Sequence, residues 1–125
     1  MKLTKREHLI KNLYHVYNMF VDLVNYNLIK EYLKKAIKNK MLRVFIYPNK
    51  KEFRIEDFYI SYYDNKSFFL VEIENSKVVS YFVNKGIKDK IELELENHIT
   101  TKIFNVLLEL SKNEELKKHF FISKE

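Results

Sequence analysis

Residues 67–83 read Ser67-Phe68-Phe69-Leu70-Val71-Glu72-Ile73-Glu74-Asn75-Ser76-Lys77-Val78-Val79-Ser80-Tyr81-Phe82-Val83. Two runs rich in β-branched and aromatic residues flank a two-residue polar step, the composition of a tight hairpin. Ser67 to Glu74 and Lys77 to Val83 are therefore predicted strands, antiparallel because so short a turn permits nothing else.

The same logic extends toward the N-terminus. Leu42 to Tyr47 is a strand-forming run stopped by Pro48-Asn49-Lys50, and Asp64-Asn65-Lys66 reads as a second hairpin loop. Between them Glu52-Phe53-Arg54-Ile55-Glu56 alternates, then the apolar phase flips at Glu56-Asp57 so that Phe58, Ile60 and Tyr62 take over. A phase flip within one strand predicts a β-bulge. Asn84-Lys85-Gly86, holding the chain's single glycine, closes a four-stranded meander over 41–85.

Residues 4–40 read as helical. Thr4 and Glu7 have capping-box spacing. Leu9, Ile10, Leu13, Val16, Tyr17, Phe20, Leu23 and Val24 recur at helical intervals, leaving Lys11, His15, Asn18, Asp22 and Asn25 as a narrow polar stripe. So thin a wet edge points to a helix enclosed by its own sheet or by a second copy, and a homo-oligomer through residues 5–25 is expected on the latter reading. Asn27 is the expected cap of a second helix, in which Ile29, Tyr32, Leu33, Ala36 and Ile37 face inward. Residues 89–120 also read as helical. Ile91-Glu92-Leu93-Glu94-Leu95-Glu96 alternates as a strand would, but Ile91, Leu95, Ile99, Ile103, Val106 and Leu110 keep helical spacing, and helix is favoured. Ser111 and Glu114 predict a capping box opening a last short helix. The expected fold is thus one α+β domain over 1–125: N-terminal helices, a four-stranded antiparallel β-meander and C-terminal helices packed on the sheet.

At 125 residues the chain can bury one core without staples. It contains no cysteine, which removes disulfides, thiolate chemistry and Cys-bound zinc together and fits a reducing compartment; the expected location is cytoplasmic. No secretory leader or membrane-spanning run is expected. With one glycine, a backbone phosphate cradle is excluded, and with it loop-based ATP or NAD chemistry; no cofactor is expected. The composition is dominated by 20 Lys, 12 Asn, 12 Ile, 10 Phe and 9 Tyr, all favoured by AT-rich codons, as in low-GC bacteria and their phages and plasmids.

The net charge of +6 is unevenly placed. Residues 1–40 carry nine basic and three acidic side chains, whereas 89–125 carry six and eight. Lys30, Lys34 and Lys38 fall on one helical stripe with Lys35 and Lys40 beside them, and Arg43, Lys50 and Lys51 follow. Such a run suits phosphate groups or an acidic partner, although codon bias and a merely solvated helix face explain lysines equally well. Phe53, Phe58, Tyr59, Tyr62, Tyr63, Phe68, Phe69, Tyr81 and Phe82 occupy both phases of the strands, so rings lie on both sheet faces, either as core or as stacking platforms.

Asp57 followed by Glu72 on the next strand, after an opening helix, resembles the core hairpin of the PD-(D/E)XK nucleases. The resemblance implies a divalent metal held by Asp57 and Glu72, but Glu74 stands where that family has lysine, and Lys77 lies beyond the turn. Asp57, Glu72 and Glu74 are the candidate catalytic residues; no separate metal site is expected, since the four histidines form no ligand pair. The leading expectation is a non-enzymatic macromolecule-binding protein. It would be a phage- or mobile-element-encoded inhibitor or accessory protein acting on a host protein or nucleoprotein complex. Direct nucleic-acid binding through Lys30 to Lys40, or a metal-dependent nuclease, are the alternatives.

Overall fold

The computed structural model describes residues 3–22, 25–62, 67–84 and 87–124, with the side chains of 59–62 and 87–88 left aside. The predicted Asp64-Asn65-Lys66 loop and most of Asn84-Lys85-Gly86 lie outside the described residues, as do Leu23 and Val24. In chain order the elements are α1 (Lys5–Asp22), α2 (Tyr26–Lys38), β1 (Arg43–Tyr47), β2 (Glu52–Tyr62), β3 (Ser67–Glu74), β4 (Lys77–Asn84), β5 (Ile87–Glu94), α3 (Asn97–Leu110) and β6 (Phe120–Ile122). They build an α+β fold with a six-stranded mixed sheet in the order β5-β4-β3-β2-β1-β6. Strands β1 to β5 pair antiparallel as successive neighbours, and β6 returns to lie parallel to β1.

All three helices cover one face. Alternate residues Val44 and Ile46 of β1, Phe53, Ile55 and Phe58 of β2, Val71 and Ile73 of β3 and Val78 of β4 enter the main core with α1, α2 and α3. A satellite cluster of Leu9, Phe69 and Phe82 extends it beneath α1. The intervening residues Phe45, Arg54, Phe68, Leu70, Glu72, Val79 and Tyr81 point the other way and belong to neither cluster. One sheet face is thus the core, and no described helix covers the other.

Local chemistry accounts for the ends of these elements. The Thr4 hydroxyl accepts from the Glu7 amide at 3.1 Å and donates to the Glu7 carboxylate at 2.9 Å, closing the capping box at α1. The bulge falls where the phase flips: β2 loses register with β3 between Ile55 and Phe58, and Asp57 takes a left-handed φ of 62°. The β3–β4 turn is Asn75-Ser76, with Asn75 at φ 49°.

Asn75 also ties three elements together. Its side-chain oxygen accepts from the Phe53 amide at 2.6 Å, its amide donates to the Phe53 carbonyl at 3.2 Å, and its carbonyl accepts from the Thr100 hydroxyl at 3.2 Å. Asn75→Ala loses the side-chain acceptor and puts a residue without asparagine's tolerance of left-handed backbone at φ 49°, so it should lower the unfolding free energy by about 1–3 kcal/mol in urea titrations. Asn75→Gly removes only the first of these and should cost less.

Four expectations are corrected. Residues 91–94 are strand: Ile91 and Leu93 sit opposite Ser80 and Val78 and pack against the core, while Glu92 and Glu94 face out. Period-two burial on a sheet edge overrides the helical spacing, which begins in earnest only at Ile99, and the span 89–120 is therefore strand, helix, turn and strand. The meander has five strands, not four, and a sixth joins its other edge. The cap of α2 is Asn25, whose side chain accepts from the Asn27 amide at 2.8 Å. Ser111 opens no helix: its hydroxyl donates back to the Leu108 carbonyl at 2.7 Å, and Asn113 accepts from the Glu115 amide at 2.9 Å, turning the chain toward β6.

The apolar row of α1 (Leu9, Leu13, Val16 and Phe20) is fully buried against the protein's own sheet and helices. Among the described residues of 5–25, the exposed large hydrophobics are Ile10 and Tyr14, at 39% and 47%. No helix among the described residues is long and apolar enough to cross a membrane.

Candidate functional site: a cationic cleft between α2 and the C-terminal turn

Helix α2 ends in a closed C-cap. Lys40 adopts a left-handed φ of 58°, its amide donates to Ile37, and the Met41 amide donates to Ala36, both at 3.0 Å. This is the bonding of a Schellman motif, and it satisfies carbonyls that would otherwise repel an anion at this helix end. The chain then leaves for β1. Far along the sequence, the turn after α3 buries Leu116, forms a short 3-10 turn at Lys117–His119, and feeds β6 beside β1. The β1–β6 pairing therefore brings residues about 80 positions apart to one place.

The result is a cleft of about 490 Å³ lined by Lys38, Lys40, Glu115, Leu116, Lys118 and His119. A second hollow of about 410 Å³, lined by Glu31, Tyr32, Lys34, Lys35 and Lys38, adjoins it through Lys38. Five lysines line the two hollows against two glutamates. Lys34, Lys35, Lys40 and Lys118 make no ion pair among the described residues, and Lys38 makes one, to Glu115 at 3.4 Å. Both partners of that pair are more than 60% exposed, so it is a weak solvent-screened contact that a phosphate could displace.

The predicted basic set does not act as one surface. Lys30 turns to α3, where its ammonium lies 2.6 Å from Glu109. The Tyr26 hydroxyl donates to the same carboxylate, and the two bonds, Lys30's first, hold Glu109 below the usual carboxylate range. Hydrogen bonding to Glu109 in turn raises Tyr26. Lys30 is thus a helix-to-helix link. Arg43 lies on the sheet face away from the helices, paired with Asp57 and, at 3.7 Å, Glu56. Lys50 and Lys51 sit at the far end of β1, in the turn to β2. Lys34, Lys35, Lys38 and Lys40 remain, joined by Lys118 and His119, which the sequence left unremarked. The Lys117-Lys118-His119 triplet was visible, but its partner across the cleft was not.

The candidate nuclease residues meet guanidinium groups. The bulge sets Glu56 and Asp57 near Glu72; Arg43 engages Asp57, while Arg54 lies 2.6 Å from Glu56 and 3.7 Å from Glu72. Glu74 stands directly across from Arg54 in register. Two arginines thus pair with Glu56, Asp57 and Glu72 where the resemblance called for a metal and a lysine. Among the described residues no group of three His, Asp or Glu side chains converges to hold a metal ion. Burial, followed by the charge of and hydrogen bond to Glu72, raises the neighbouring Tyr81.

Tyr32, on the wall of the smaller hollow, packs edge-on to Phe20 at 6.3 Å and beside Phe58 at 6.2 Å. Burial pushes its hydroxyl up to about 12 from 10.0. Because the folded state holds this proton more tightly, Tyr32's contribution to stability is complete below pH 10.0 and is lost as pH rises through about 12. The urea midpoint should fall across that window, and Tyr32→Phe should flatten the fall; an unchanged slope would contradict the burial.

No family model, curated protein or solved structure matches the chain.

Proposed function

We propose that this chain is a non-enzymatic binding protein that grips nucleic acid, free or within a nucleoprotein complex, through the cationic face of α2 and the 116–119 turn. The observation that carries this reading is the meeting of Lys38 and Lys40 with Lys118 and His119 across one cleft. Convergence from distant parts of the chain is not a consequence of codon bias, which adds lysines without placing them. Four of the five lysines are unpaired among the described residues and stand ready for phosphates, whose neutralisation releases counterions. The AT-rich composition suits an accessory or inhibitory protein of a phage or mobile element.

Mobility shift with single-stranded and duplex DNA and with RNA, repeated across a salt series, tests the proposal. Binding that weakens steeply with salt is expected. Failure to bind any of the three, or binding indifferent to salt, would overturn it.

A further inference from the structure

The sheet face turned away from the helices has a charge balance opposite to the cleft. Across its rows the register aligns Phe121, Phe45, Arg54, Glu74, Lys77 and Glu94; beside them Arg43 faces Glu56 and, across the bulge, Glu72 lines up with Val79 and Glu92. With Glu52, Asp57 and Lys90, the described side chains of this face hold seven carboxylates against four cations. Glu52, Glu74 and Glu94 form no ion pair among the described residues. At the β6 edge Phe45 and Phe121 stack with centroids 4.8 Å apart, and Phe121 is 52% exposed. An aromatic shelf thus adjoins an acidic field, on the surface from which a nucleic acid would be repelled.

We propose that this open face docks a cationic protein segment, which seats an apolar side chain on Phe45 and Phe121 and aligns Lys or Arg residues with Glu52, Glu74 and Glu94. Charge complementarity selects the occupant. An acidic partner would meet the excess carboxylates, and like charges across an interface are costly. A face-to-face second copy would set one acidic field against another. The molecule would then hold nucleic acid on its helical side and a basic protein on its sheet side, the arrangement an accessory of a nucleoprotein complex requires. The two surfaces share no residue, so either can fail alone.

The test is fluorescence anisotropy of a short labelled peptide of Lys and Arg around one central Phe, titrated with the full chain. Binding is expected, weakened about tenfold or more both in Glu52→Gln/Glu74→Gln/Glu94→Gln and, independently, in Phe121→Ser. It should be unchanged in Lys34→Glu/Lys38→Glu. Affinity unaltered in the Gln triple and Phe121→Ser variants would overturn the proposal. So would equal binding of a Glu-rich counterpart, or concentration-dependent self-association by light scattering that expels the peptide.

Discussion

Charge reversal of Lys34, Lys38 and Lys118 to glutamate is expected to weaken nucleic-acid binding about a hundredfold or more at moderate salt. The same triple change should lower the slope of log affinity against log salt by about two, since each lost phosphate contact removes about 0.7–0.9 from it. The three side chains come from the middle of α2, its last turn and the turn before β6, yet border the two joined hollows. None forms a buried contact that holds the fold: Lys38 and Lys118 are exposed, and Lys34 pairs with nothing among the described residues. Stability should therefore change by only about 0.5 kcal/mol per site, which separates lost binding from lost folding. Reversing Lys50 and Lys51 instead, at the far end of β1, should leave affinity within about twofold. If both sets of reversals weaken binding equally, the lysines act as diffuse charge and the cleft has no special part.

The largest expected effect on stability comes from Phe20→Ala. Phe20 is fully buried on the inner side of α1, edge-on to Tyr32 of α2, and belongs to the core that joins all three helices to the sheet. Removing its ring takes away the buried apolar surface and leaves a cavity whose walls are held by the sheet on one side and α2 on the other. Such truncations cost about 3–5 kcal/mol. A single domain has about 5–15 kcal/mol to lose, so the variant should unfold at a much lower urea concentration. Phe20→Leu, which keeps most of the volume, should cost clearly less. Phe121→Ser, on a ring half exposed on the open face, should shift the midpoint little by comparison. A loss below about 1 kcal/mol for Phe20→Ala would contradict the packing described here.

The parts of the fold legible in the sequence were those decided by local chemistry. The Thr4–Glu7 capping box, the bulge at Glu56-Asp57 and the Asn75-Ser76 turn each depend on a few adjacent residues, and each is present. The meander followed because short turns dictate antiparallel neighbours. What escaped was set by partners distant in sequence. Ile91 fits a helical period with Leu95 and a strand period with Leu93, and only the exposed edge of β4 decides between them. Phe120-Phe121-Ile122 is too short to announce a strand; it becomes one because β1 offers a free edge. The same parallel pairing creates the cleft, so its second wall was beyond any local reading. Lys30 shows the converse: its place on the stripe was readable, but Glu109, which claims it, lies 79 residues away.

The central claim is that the cleft lysines, and not the chain's lysines in general, hold the nucleic acid. Mass-spectrometric footprinting of lysine acetylation, with and without a bound oligonucleotide, tests it most directly. Protection should concentrate on Lys34, Lys35, Lys38, Lys40 and Lys118, while Lys50, Lys51, Lys77 and Lys90 react as in the free protein. Protection of Lys50, Lys51, Lys77 or Lys90 to the same degree, or reaction of the five cleft lysines unchanged by a saturating oligonucleotide, would contradict it.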